Sequence, residues 1–231
     1  MTTAVVLLAL GVFGACCIES VEALTIVLAA GTRSWRSAIT GALTAVVVLL
    51  IAGSVAGYAL VHYVPMQLLH LTVGAVLLYY GVQWLRKAIL RATGRKAKHD
   101  EDAIYERIAQ RRDATAFKIA LQGVLVEGSE VLIIVLGFGT TAGRLGVAAV
   151  AAVAAVVLVT LVGIVVARQL REVPENTIKF VVGVLLTSFG AFYFGEGLHV
   201  PWPGADLMLL ALIAVVTLTA RTLVHQLKVV R

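Results

Sequence analysis

The sequence predicts an all-α membrane protein with seven transmembrane helices, and three observations lead there. Of the 231 residues, 60% are hydrophobic and 14% charged, with a mean hydropathy of +0.97, outside the range of soluble domains. The hydrophobic residues fall into runs of about 20 or more, the length needed to cross the hydrocarbon core of a bilayer. Six of the seven runs pair off as two three-helix repeats.

The runs lie at roughly 4–30, 37–63, 67–90, 116–141, 145–168, 177–198 and 205–225. The first opens on Met1-Thr2-Thr3 and continues through two glutamates without the basic region of a signal peptide, so it reads as a retained helix. The breaks carry turn residues: Gly31-Thr32-Arg33, Pro65, Gly143-Arg144, Pro174 and Pro201-Trp202-Pro203-Gly204. The chain divides into a first three-helix repeat (1–90), a cytoplasmic connector (91–115), a second repeat (116–200), and a seventh helix with a cytoplasmic tail (201–231). Within the connector, Ile104 and Ile108 are four apart among charges, which predicts a short interfacial helix over 101–112. His99 stands there beside Asp100, Glu101 and Asp102.

Basic residues set the orientation. With the N-terminus outside and the C-terminus cytoplasmic, Arg33, Arg36, the segment from Arg86 to Lys118, Arg168, Arg171, Lys179, Arg221, Lys228 and Arg231 all face the cytoplasm. Only Arg144 is left outside. Tyr63 and Trp202 fall at the outer boundary, where amphipathic aromatics are favoured.

Shifting the chain by 108 residues lays Glu19 on Glu127, Glu22 on Glu130, Gly31 on Gly139 and Arg36 on Arg144. One further residue of shift lays Pro65 on Pro174, Gly74 on Gly183 and Gly81 on Gly190. Each repeat covers three spans. Three is odd, so the second copy enters the membrane from the opposite side. The arrangement is two inverted repeats plus one extra helix, as in transporters that bind their cargo near the midplane. Small residues at Gly11, Gly14, Gly53, Gly57, Gly74, Gly81, Gly123, Gly183 and Gly190 read as close helix contacts.

The chemistry rests on the acids. Glu19 and Glu22, and again Glu127 and Glu130, lie three apart inside apolar runs, so each pair shares one side of its helix. A carboxylate at the centre of a membrane helix costs about 2.5–3.5 kcal/mol, so such pairs are expected to face one another, water or a cation. Related by a pseudo-two-fold, the four gather as hard oxygen ligands for a divalent metal. Like charges crowded without a cation repel, so the reading includes proton uptake by the empty site and release on metal binding. Cys16, one turn before Glu19, is a possible additional soft ligand or a small buried residue. Ser129 and Thr25 are possible hydroxyl ligands or back-bond to their own helices. Gln83 and Gln122 are candidates for the path, and Glu196, with His199 and Asp206 nearby in sequence, is a candidate ligand at the outer mouth. His62, His70 and His225 fall near span ends and read as interfacial.

Other classes are excluded. The net charge of +6 is spread between apolar runs and forms no soluble basic face, so no nucleic acid is expected as partner. Adjacent Cys16 and Cys17 cannot bridge to each other as a structural disulfide. No nucleophile elbow, phosphate loop, HExxH or CxxC pattern occurs, so the chain is not expected to be an enzyme or to hold a permanent cofactor.

At Glu19-Ser20-Val21-Glu22-Ala23-Leu24-Thr25-Ile26-Val27 and Glu127-Gly128-Ser129-Glu130-Val131-Leu132-Ile133-Ile134 the chain resembles the oxidase-dependent iron permease family, which carries Arg-Glu-x-x-Glu signatures on its first and fourth helices. The resemblance implies seven spans, an outside N-terminus and iron binding by Glu19, Glu22, Glu127 and Glu130. Ile18 and Val126 stand where that family has arginine. A weaker resemblance is to the calcium/manganese–proton exchangers, whose acids have the same spacing; there Glu22 and Glu130 replace aspartate. The resulting expectation is a plasma (inner) membrane transporter of divalent transition-metal cations, iron or manganese, proton-coupled through a midplane site of four glutamates. A calcium/manganese–proton exchanger is the alternative. A non-transporting subunit with proton-relay or partner-binding acids is the alternative of another class. Partners are the metal, protons and the lipid bilayer; a homo-oligomer is compatible with the sequence.

Overall fold

A computed structural model describes residues 2–95, 115–166, 175–204 and 206–229. They form seven α-helices: α1 Thr2–Gly31, α2 Trp35–Tyr63, α3 Met66–Ala92, α4 Ala116–Thr141, α5 Leu145–Val166, α6 Glu175–Gly197 and α7 Asp206–Val229. Each is long and apolar enough to cross a membrane, so the chain is an integral, multi-pass membrane protein. The connector, including the interfacial helix expected over 101–112, lies outside the described residues.

Local chemistry explains where the helices end. Ser34, extended at φ −163°, accepts a hydrogen bond from the Ser37 amide and starts α2, while Thr115 does the same for Lys118 at the start of α4. After α4 the chain reverses through Gly143 at φ 61°, a left-handed conformation that glycine adopts without strain. There the Arg144 amide donates to the Gly139 carbonyl at 2.8 Å, satisfying the helix end. The helices match the predicted runs closely, but α7 continues from the predicted end at 225 to Val229. Apolarity marks where lipid stops, whereas backbone hydrogen bonding continues through Gln226 and Lys228.

Helix α6 is the most enclosed of the seven, and α2 and α7 are the most peripheral. Leu50, Ile51 and Val55 on α2 and Leu207, Val215 and Leu218 on α7 are exposed, as expected for lipid-facing surfaces. The core joins α1, α3, α4, α5 and α6 through Leu8, Val12, Leu77, Phe138, Ala155, Leu186 and Phe189. Thr187 and Ser188, buried within it, donate to the Gly183 and Val184 carbonyls of their own helix at 2.7 and 2.8 Å, so neither hydroxyl is left unpaired.

Helices α3 and α6 run antiparallel and approach more closely than side chains would permit. Gly74 faces the Phe194 backbone, Gly81 that of Thr187, Gly183 that of Leu85, and Gly190 that of Leu78. A Cβ on Gly183 would lie 2.9 Å from the Leu85 nitrogen, below any contact a real Cβ makes. The other five predicted packing glycines also meet neighbouring helices, for example Gly123 against Ile26 and Gly53 against Leu132.

At one end of the bundle, Ala30, Ala38, Ala116, Ile119 and Ala120 bring the end of α1 to the starts of α2 and α4. Leu85, Ile89, Val184 and Ala220 join the later part of α3 to α6 and α7. The described lysines and arginines gather toward this end, Arg144 alone standing at the other. At that other end Tyr63 is exposed, as expected. Trp202 instead folds onto α6, stacking on Phe192 at 5.7 Å and donating from Nε1 to the Phe192 carbonyl at 3.1 Å. Gly195 beneath the indole leaves the room it needs.

The α3/α6 contact predicts an asymmetric response to the smallest possible side chain. Gly190→Ala, which drives a Cβ into the Leu78 backbone, is expected to destabilise the protein by about 1–3 kcal/mol. Gly146→Ala, which meets open space, is expected to be neutral or slightly stabilising. Thermal unfolding in detergent compares the two.

Candidate metal centre

Glu19 and Glu22 lie in the second half of α1, and Glu127 lies in the first half of α4. The two helices pack antiparallel, as Ile26 against Gly123 shows, so these opposed halves meet at the same depth. One carboxylate oxygen from each of the three glutamates lies within 4.8 Å of the others. The carboxyls of Glu19 and Glu127 are within hydrogen-bonding reach of each other. Glu19 is only 2% exposed, and its Oε1 atom is buried with no hydrogen-bond partner. An oxygen in that position costs about 1–3 kcal/mol, more when charged, so it marks a place prepared for something else.

Helix α6 adds a residue that composition did not assign to the site. Lys179 Nζ forms an ion pair with Glu22 Oε1, the two side chains being 12% and 15% exposed. The ammonium also stands 5.7 Å from the centre of the Trp84 ring on α3, within cation–π range. Four helices therefore contribute: α1 and α4 the acids, α6 the cation, and α3 the aromatic face.

Glu130 stands apart from the three-glutamate group, within electrostatic reach of Glu22, Lys179 and Lys87. Gly137, seven residues on and so on the same side of α4, packs against Leu77 and Val73 of α3. Glu130 is thereby turned from α1 toward α3. Cys16 is fully buried among Val12, Ala15 and Ile18 and is not one of the converging ligands. Its carbonyl accepts from Ser20 Oγ at 2.5 Å. Ser129 is exposed and donates to the Val126 carbonyl at 2.7 Å, and Thr25 donates to that of Val21 at 3.0 Å. These hydroxyls serve their own helices. Gln122 is exposed and Gln83 half-buried.

Glu196 belongs to the opposite end, where its Oε2 lies 3.5 Å from His70 Nδ1. His70 was expected at the interface, but its ring turns inward, 5.3 Å from the Tyr193 ring, with Nε2 3.1 Å from the Thr141 carbonyl oxygen. Between that end and the glutamates lies an apolar block. Phe138 and Phe189 meet edge to face at 4.9 Å, with Gly11 3.9 Å from Phe138 if given a Cβ. Gly11 precedes Glu19 by eight residues, about 12 Å along the helix. Aromatic rings thus stand between the three acids and the Glu196 end, and Lys179 pairs with Glu22 from α6.

Lys179 escaped sequence reasoning because a lysine near the start of a span reads as part of the positive-inside pattern. The signal was nonetheless present. The 109-residue shift that aligns Gly74 with Gly183 also lays His70 on Lys179, a basic residue type at both positions. Compared with known protein families, curated proteins and solved structures, the chain matches none.

The geometry makes Glu22 and Glu130 unequal. Glu22→Gln removes the carboxylate of the Lys179 ion pair, with Glu130 still within electrostatic reach of the ammonium, and is expected to cost about 1–3 kcal/mol. Glu130→Gln, at a half-exposed position, is expected to cost under about 1 kcal/mol. Unfolding of the two variants in metal-free detergent provides the comparison.

Proposed function

We propose that the chain is a membrane transporter of divalent transition-metal cations, iron or manganese, bound between α1 and α4. One observation carries the reading: three carboxylates converge in the bundle interior, and one of them, Glu19, has a buried oxygen with no hydrogen-bond partner. Oxygens on opposite sides of one ion at about 2.0–2.6 Å are about 4–5 Å apart, which the 4.8 Å grouping accommodates. All three donors are hard, as manganese and iron accept. Glu130, one turn along α4, completes a set of four on a modest side-chain or helix adjustment. Glu19 and Glu127 stand well inside α1 and α4, away from the ends of those helices, which supports a site for an ion in transit.

The topology of this transporter is two inverted repeats with the N-terminus outside and the C-terminus in the cytoplasm of a plasma (inner) membrane. The gathering of lysines and arginines at one end supports the orientation. The reciprocal packing of Gly74 and Gly81 on α6, and of Gly183 and Gly190 on α3, supports the repeat. Proton coupling is part of the proposal: carboxylates crowded within 4.8 Å repel, and protons that ease the repulsion would leave when a metal binds. Resemblance to the iron permeases rests on the same glutamates. A non-transporting subunit is the second reading, favoured by the Lys179–Glu22 ion pair, which already neutralises one acid internally.

Metal binding separates the two. Mn²⁺ at about 100 times its dissociation constant is expected to stabilise the purified protein by about 2.7 kcal/mol. Glu19→Gln and Glu127→Gln are each expected to abolish the shift, and proteoliposome uptake is expected to alkalinise the lumen in step with the metal. A thermal transition that ignores Mn²⁺ and Fe²⁺ sinks the transport reading.

A further inference from the structure

We infer that Lys179 is the resident counter-cation of the glutamate site and sets its preference for divalent over monovalent ions. The inference rests on the cation-binding reading above and adds the residue that decides which cations enter. Three facts carry it. The Lys179 ammonium pairs with Glu22, one of the three converging glutamates. Its side chain is only 12% exposed, so the pair sits within the bundle and is little screened by solvent. The Trp84 ring, 5.7 Å from Nζ, offers the ammonium a second resting place without leaving the protein.

An incoming cation that binds through Glu22 displaces the ammonium from that carboxylate. A monovalent ion that does so replaces one positive charge with another and leaves the charge of the acid cluster as it was. The lysine meanwhile exchanges a carboxylate for an aromatic face, a weaker partner. A divalent ion makes the same exchange but adds a unit of positive charge among Glu19, Glu22, Glu127 and the nearby Glu130. Only the divalent ion has an electrostatic gain to set against displacement of the lysine. No group has to gain or lose a proton for this discrimination. The ammonium tethered to α6 performs it, and its exchange with the metal makes α6 sense whether the site between α1 and α4 is filled.

Mn²⁺ binding to the full-length protein in detergent, followed by titration calorimetry with and without excess Na⁺, tests the assignment. Lys179→Gln is expected to bind Mn²⁺ about tenfold or more tightly than the parent, since a close competing charge is gone, and to lose affinity when Na⁺ is added. Lys179→Arg, which retains the charge, is expected to bind no tighter than the parent and to stay indifferent to Na⁺. Trp84→Phe, which leaves the Lys179–Glu22 pair in place but weakens the alternative perch, is expected to bind Mn²⁺ several-fold more weakly. It decides the matter if Lys179→Gln does not fold. The inference is overturned, with the metal reading intact, if the parent binds Mn²⁺ through Glu19 and Lys179→Gln binds it no tighter and remains blind to Na⁺. It is overturned likewise if Trp84→Phe binds as the parent does. If neither the parent nor Lys179→Gln binds Mn²⁺ saturably, both the inference and the reading beneath it fall.

Discussion

Glu19 has to be neutralised from inside the protein, and most of what is distinctive about this bundle follows from that requirement. Its carboxyl group is almost fully enclosed, one of its oxygens has no hydrogen-bond partner, and the helix that carries it is flanked by lipid-facing neighbours. Solvent cannot do the work there. The groups that can are Lys179, through its pairing with Glu22, and a proton or cation taken up by the acids. The lysine helps the protein tolerate the acids at rest. In the proposed function, a bound cation is what they are for.

The rest of the architecture serves to hold those groups at one depth. The α3/α6 pair, locked backbone to backbone at its glycines, is stiff because small residues leave no side chain to give way. It presents Trp84 and Lys179 from a fixed wall. The α1/α4 pair supplies the carboxylates, and its contacts through Ile26, Gly123 and the alanines at one end set how closely the acids approach. The two pairs are joined by Val12, Phe138, Val182 and Phe189 on the far side of the site. That apolar block separates the acids from the Glu196 end.

Much of this was legible in the amino-acid sequence, for reasons that differ by feature. The seven helices were readable because lipid demands an uninterrupted apolar run of known length. The three converging acids were readable because Glu19, Glu22 and Glu127 violate that demand. What periodicity could not resolve was direction. Glu127 and Glu130 are three residues apart and so about 60° apart around α4, enough for one to face α1 and the other α3. Only the packing of Gly137 on Leu77 shows which. Ser129 was a candidate ligand by position, yet it points outward and binds its own helix. Lys179 and Trp202 were assigned to the interface by residue type and place in the span, but a long side chain reaches well beyond its own Cα. Lys179 reaches inward to Glu22, and Trp202 folds back over Gly195.

The most direct measurement is a structure of the Mn²⁺-loaded protein with anomalous scattering recorded at the manganese edge. A single strong peak between the carboxylates of Glu19, Glu22 and Glu127, with the Lys179 ammonium no longer on Glu22, is the predicted result. A peak found only beside His70 and Glu196, or none in the membrane interior, contradicts the account.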